Sequence, residues 1–135
     1  MRARRLFLSL ALLSLGRIAT VAQNANYVVI AEFATRGTST ATDEFVELYN
    51  PTDNAIPIST WKLQYKSATG SAWNDYGTLP AGATIPARGF YLLANNGYGG
   101  ATVPDFRWGS TGLADNGNMR IADGAGTQID KVGWG

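Results

Sequence analysis

Turn signals recur along this chain every few residues, and that constrains its fold more than any other feature. They fall at Asn50-Pro51, Asp53-Asn54, Ala68-Thr69-Gly70, Pro80-Ala81-Gly82, Pro86-Ala87-Arg88-Gly89, Asn95-Asn96-Gly97, Asn116-Gly117 and Asp123-Gly124. Each supplies the Gly, Asn or Pro that a tight reversal needs. Short apolar runs lie between them, and no segment carries a sustained 3.6-residue period after the first residues. Trp61, Leu63 and Tyr65 alternate with Lys62, Gln64 and Lys66, and Met119 and Ile121 alternate with Asn118 and Arg120. That is the pattern of half-buried strands with one wet face. Tyr27–Phe33 and Phe90–Leu93 are apolar on both parities and read as buried strands. Ile56 and Ile58 flank Pro57, which cannot donate to a ladder and so places that strand at an edge. Short strands at such spacing make an all-β sandwich or barrel.

The last segment breaks parity. Ile129 should face inward, yet Val132 and Trp134 lie on the opposite parity. A bulge near Asp130-Lys131, or a pattern that shifts as the strand ends, accounts for this. The chain stops at Gly135 with no polar tail, and we expect a C-terminus truncated from something longer. An incomplete, unpaired last strand would be open to edge-strand association. Asn95–Thr102, rich in Asn and Gly, reads as a long loop.

Residues 1–22 have the layout of a secretory signal peptide: Arg2, Arg4 and Arg5, then an apolar run from Leu6 to Leu15, then Thr20-Val21-Ala22 before the expected cut. The run is ten residues, short of the about 20 that span a bilayer. Residues 23–135 are then the folded domain, secreted or otherwise extracytoplasmic, with no membrane contact after cleavage. The whole chain has 11 basic and 10 acidic residues, but four of the basic ones (Arg2, Arg4, Arg5, Arg17) belong to the leader. The remaining 113 residues carry a net charge of −3. Nucleic-acid binding gets no support from that balance.

With neither Cys nor His in the chain, disulfides, Cys–His pairs, Ser-His-Asp triads and Cys/His zinc sites are excluded. We expect no cofactor. Calcium, which prefers oxygen ligands, could draw on Asp115-Asn116-Gly117-Asn118 and Asp123, but Asx-Gly clusters are ordinary hairpin turns, and no metal is assigned. Glu32, Glu44 and Glu47 are the available glutamates. Glu32 and Glu47 lie on strands and could form a hydrolytic carboxylate pair. The alternative is a structural role, accepting hydrogen bonds from a neighbouring strand or pairing with a lysine, Lys62 if the strands adjoin. The better binding candidates are aromatic: Trp73, Tyr76, Tyr98 and Trp108, all in or beside loop-like segments, where a sugar ring could stack. Against that, Trp73 and Trp108 could cap the ends of the core. Trp61 is assigned to the core by its alternation with Lys62.

A series of short pieces, in order, completes the reading. They are Val28-Val29-Ile30-Ala31-Glu32-Phe33, Glu44-Phe45-Val46-Glu47-Leu48-Tyr49-Asn50-Pro51, Ile58-Ser59-Thr60-Trp61-Lys62-Leu63, Ile85-Pro86-Ala87-Arg88-Gly89-Phe90-Tyr91-Leu92-Leu93-Ala94 and Ile129-Asp130-Lys131-Val132-Gly133-Trp134-Gly135. Together they resemble the lamin tail domain as carried by secreted bacterial proteins. The resemblance implies an immunoglobulin-like β-sandwich and a non-catalytic module. It also implies motif positions at Glu32, Phe45, Glu47, Asn50 and Trp61. The expectation is a secreted, non-enzymatic module that binds or attaches to an unknown protein, glycan or envelope partner. The alternatives are a structural spacer cut from a larger exported enzyme and a weak carboxylate-based hydrolase.

Overall fold

The computed structural model describes residues 25–37 and 40–135. The expected signal peptide lies outside the described residues. The remainder is built from strands alone: β1 (Val29–Ala34), β2 (Phe45–Tyr49), β3 (Ile56–Pro57), β4 (Lys62–Ser67), β5 (Asn74–Thr78), β6 (Thr84–Ile85), β7 (Phe90–Ala94), β8 (Phe106–Arg107), β9 (Gly117–Ala122) and β10 (Gln128–Trp134). Among the described residues no helix is long and apolar enough to cross a membrane.

Two four-stranded sheets form the layers of a sandwich. The first runs β1-β2-β7-β8 and the second β10-β9-β4-β5, with β3 and β6 as a separate two-stranded ribbon. Only β7–β8 is parallel; every other pairing is antiparallel. Alternation decides what goes inside. Val46 and Leu48 on β2 stand opposite Leu93 and Tyr91 on β7 and point inward. Leu63 and Tyr65 on β4 stand opposite Ile121 and Met119 on β9 and meet them from the second sheet. Each fully buried side chain of this size contributes roughly 1.5–3 kcal/mol. Pro57 sits in the short ribbon, where its missing N–H costs little.

Three expectations are corrected. The segment expected to be buried on both faces is an edge strand of the first sheet, with Ala31 and Glu32 exposed. A register shift between Ile30 and Glu32 allows this, because the extra residue re-aims the side chains after it. Phe90 is likewise 56% exposed while Tyr91–Ala94 are buried. The last strand is not unpaired: Gln128–Trp134 runs alongside β9 throughout. Its irregularity falls between Gln128 and Asp130, at Ile129, one residue before the expected place. That bulge returns Val132 and Trp134 to the inner face, where Trp134 packs on Phe33 (ring centroids 5.2 Å apart) and Tyr65 (6.0 Å). Asp130 then reaches across to accept a 2.7 Å hydrogen bond from the Ile30 amide, tying the β10 edge to the β1 edge.

Candidate functional site

The four aromatic residues picked out as binding candidates do not converge. Trp108 is only 7% exposed and belongs to the core, its Nε1 donating to the Thr111 carbonyl at 3.0 Å. It cannot serve as a ligand platform. The parallel β7–β8 pairing carries it inside, directly after Arg107. Tyr76 also turns inward: it is the residue left without a partner where the β4–β5 register slips. Its ring lies 5.3 Å from that of Tyr65, and its hydroxyl donates to the Gly112 carbonyl at 2.9 Å. Burial raises its pKa above the ordinary tyrosine value. Gly77 beside it is forced by space, since a Cβ there would lie 2.5 Å from the Phe106 ring.

Trp73 lies at the outer face of the second sheet. Lys66 Nζ stands 5.3 Å from its ring centroid and the Arg120 guanidinium carbon 4.6 Å. Tyr98 borders a cleft. Phe45 points outward from β2, and its register partners on either side are Ala34 on β1 and Ala94 on β7. Two alanines flanking a phenylalanine leave a depression. Tyr98, from the loop after β7, leans over it with its ring centroid 5.9 Å from that of Phe45 and the planes 70° apart. The contact is edge-to-face, and Gly100 lies so close to the Tyr98 ring that a Cβ there would not fit.

The resulting cleft of about 460 Å³ is lined by Ala34, Arg36, Gly37, Asp43, Phe45, Tyr98 and Gly100. The loop that brings Tyr98 there is fixed by its amides. Tyr98 donates to the Asn95 carbonyl, Gly97 to Asn95 Oδ1, and Gly99 to Asp43 Oδ1 at 3.1 Å. Arg107 clamps the same loop from outside through the carbonyls of Asn95, Asn96 and Tyr98. Arg36 at the rim pairs with Asp115. The cleft therefore offers an aromatic face, a carboxylate and a guanidinium around an apolar floor.

The residues expected to be motif positions divide by role. Asn50 is fully buried and knots three segments: its Nδ2 donates to the carbonyls of Asn54, Ile85 and Pro86, and its Oδ1 accepts from the Thr52 amide and hydroxyl. Trp61 packs half-buried against the core. Glu32 and Glu47 are direct cross-strand partners on the outward face of the first sheet. Neither makes an ion pair among the described residues. Lys62, expected as a partner for these glutamates if the strands adjoined, stands on the other sheet and pairs with Asp75 at 2.8 Å. Register thus brings these two carboxylates together, Glu32 exposed and Glu47 half-buried beside the buried Leu92, and neither lines the Tyr98 cleft. The residues weighed for calcium lie apart. Asp115 precedes β9 and Asp123 follows it, and Asp123 caps its own turn through the Ala125 and Thr127 amides.

Sequence reasoning left Glu44 without a role. It is 1% exposed, its Oε1 accepting from the Leu113 amide at 2.7 Å and its Oε2 from Asn95 Nδ2 at 3.0 Å. Desolvation raises its pKa despite those hydrogen bonds. Its two partners lie 51 and 69 residues away in sequence, a distance no local pattern reveals.

The description of the Lamin Tail Domain matches residues 21–135. The chain belongs to the Lamin Tail Domain family. That is a family of non-enzymatic, immunoglobulin-like domains, in agreement with the two-sheet sandwich. No curated protein matches the chain.

Proposed function

We propose that this lamin tail domain is an exported, non-catalytic recognition module that holds a neutral glycan by surface complementarity, with no bond made or broken. The leader-like pattern of residues 1–22 supports export. The observation that carries the binding reading is the cleft in which Tyr98 leans over Phe45 with Asp43 and Arg36 beside it. A sugar ring presents an apolar face for stacking and a rim of hydroxyls that both donate and accept. An aromatic face next to one acceptor and one donor is the matching arrangement.

The test is retention of the purified protein on immobilised cellohexaose, chitohexaose and mannan. Retention on one of them should fall about tenfold in Tyr98→Ala, the loss of roughly 1.4 kcal/mol. Unchanged retention in that variant, or none by the native protein on any of the three, would refute the cleft as the site.

A further inference from the structure

The cations of this domain are not spread evenly. Arg36 and Arg88 are each paired with an aspartate, Asp115 and Asp53, away from the outer face of the second sheet, and Arg107 is held by backbone carbonyls. Lys62, Gln64 and Lys66 alternate on the outer face of β4, since Leu63 and Tyr65 are buried between the sheets. The β-register carries that face across the sheet: Gln64 stands opposite Arg120, and Arg120 opposite Lys131. Lys62, Lys66, Arg120 and Lys131 therefore share one surface, with Asp75 as the acidic residue facing them from β5.

Arg120 is the member that is built in. Its Nε donates to Gln64 Oε1 at 2.7 Å. Gln64 Nε2 in turn donates to Asp75 Oδ1 at 2.6 Å, and Lys62 Nζ donates to the other oxygen of Asp75 at 2.8 Å. The guanidinium carbon lies over the Trp73 ring, 4.6 Å from its centroid. The amide of Gln64 is thus oriented by Asp75, and the guanidinium by both Gln64 and Trp73. Among the described residues its two terminal nitrogens make no hydrogen bond, and they form the fork that matches a carboxylate. Lys131 stands one strand spacing away, about 4.8 Å, and Lys66 borders Trp73 from β4.

We propose that the outer face of β4, β9 and β10 is a second binding surface, for an acidic polysaccharide whose carboxylates engage the Arg120 fork and the neighbouring Lys131 and Lys66. Charge complementarity selects an anion. The texture of the surface selects a polysaccharide. Its side chains are polar apart from Ala122 and Trp73, so it lacks the apolar centre a protein interface needs. Its aromatic residue, Trp73, is already covered by cations, so it lacks the free stacking platform that single-stranded nucleic acid uses. Adjacent strands set Arg120 and Lys131 at a spacing on the order of one sugar unit, which suits a polymer bearing one carboxylate per residue. This surface is separate from the Tyr98 cleft, which lies on the first sheet.

The experiment is affinity electrophoresis of the purified protein in gels containing polygalacturonate, with dextran as the neutral control and a double-stranded DNA oligonucleotide in a parallel titration. Native protein should be retarded by polygalacturonate and not by dextran. Arg120→Lys, which keeps the charge and loses the fork, should weaken that retardation about tenfold, and Lys131→Gln severalfold. Asp75→Asn should weaken it severalfold while leaving Lys66 and Lys131 in place, since Asp75 acts through Gln64. Tyr98→Ala should leave it unchanged, which keeps this surface distinct from the cleft. Circular dichroism confirms that each variant is folded. No retardation by polygalacturonate at low salt, equal retardation of Arg120→Lys and native protein, or tighter Arg120-dependent binding of the DNA would each overturn the proposal.

Discussion

The same three side-chain types, a tryptophan, a carboxylate and an amide, are assembled twice in this molecule, once between the sheets and once outside them. Inside, Trp108 and Asn95 both donate to the Thr111 carbonyl, and Asn95 also donates to Glu44. Outside, Trp73 lies under Arg120, which is bound to Gln64, which is bound to Asp75. The two carboxylates respond in opposite directions. Desolvation pushes Glu44 up, whereas the hydrogen bonds from Lys62 and then Gln64 pull Asp75 down. Similar partners give a structural staple where water is absent and an oriented, charged surface where it is present. Burial sets the role; residue type does not.

The comparison is broken most sharply at the two tryptophans. Trp108→Ala should lose about 3–5 kcal/mol of stability in urea unfolding, as a buried aromatic truncation does. Trp73→Ala should lose only about 1 kcal/mol, the scale of an exposed cation–π contact. Equal losses would mean that inside and outside are not distinguished in the way the burial implies. Next is Glu44→Ala, which orphans the Leu113 amide and the Asn95 side chain; roughly 2–4 kcal/mol should go, at an unchanged denaturant slope. A loss below that range would show that water replaces the carboxylate.

Titration sharpens the contrast further. A carboxyl whose folded-state pKa is raised favours the folded state while protonated. Glu44's contribution is therefore fully present below the ordinary value of 4.5 and lost as pH rises through its raised value. Unfolding midpoints of native protein and Glu44→Gln, followed upward from pH 4, should show that decline in the native protein and its absence in the variant. Parallel profiles would contradict a desolvated carboxyl. Asp75 has the opposite sign: its contribution is present above the ordinary 3.8 and lost as pH falls through its lowered value. It is exposed, so Asp75→Asn should cost the least, about 0.5 kcal/mol at pH 7, and less still in high salt.

Local pattern carried the strand reading a long way. Alternation at Trp61–Lys66 and Asn118–Ile121 placed Leu63, Tyr65, Met119 and Ile121 on the inner face, where they are. The parity break at Ile129 marked the β10 bulge to within a residue, because a period of two leaves an extra residue nowhere to hide. Propensity failed at β5. Asn74-Asp75-Tyr76-Gly77-Thr78 has too much turn chemistry to read as a strand, and pairing with β4 overrides it. The run Val28–Ala31 read as buried on both faces, because hydrophobicity alone does not say whether a strand has one neighbour or two.

The sequence by itself determined the sheet-forming segments, the turns between them, the lack of thiol and imidazole chemistry, and the lamin tail motif. These are properties of neighbours in the chain, or of residues that are simply present or missing. Only the tertiary structure decided which tryptophan is interior and which lies outside. It alone gave Glu44 its partners, separated Glu47 from Lys62, placed Tyr98 over Phe45 between two alanines, and gathered Lys62, Lys66, Arg120 and Lys131 on one face. Each of these depends on the order and register in which distant strands pair. That pairing is fixed by the burial of the whole apolar set at once, and no window of sequence contains it.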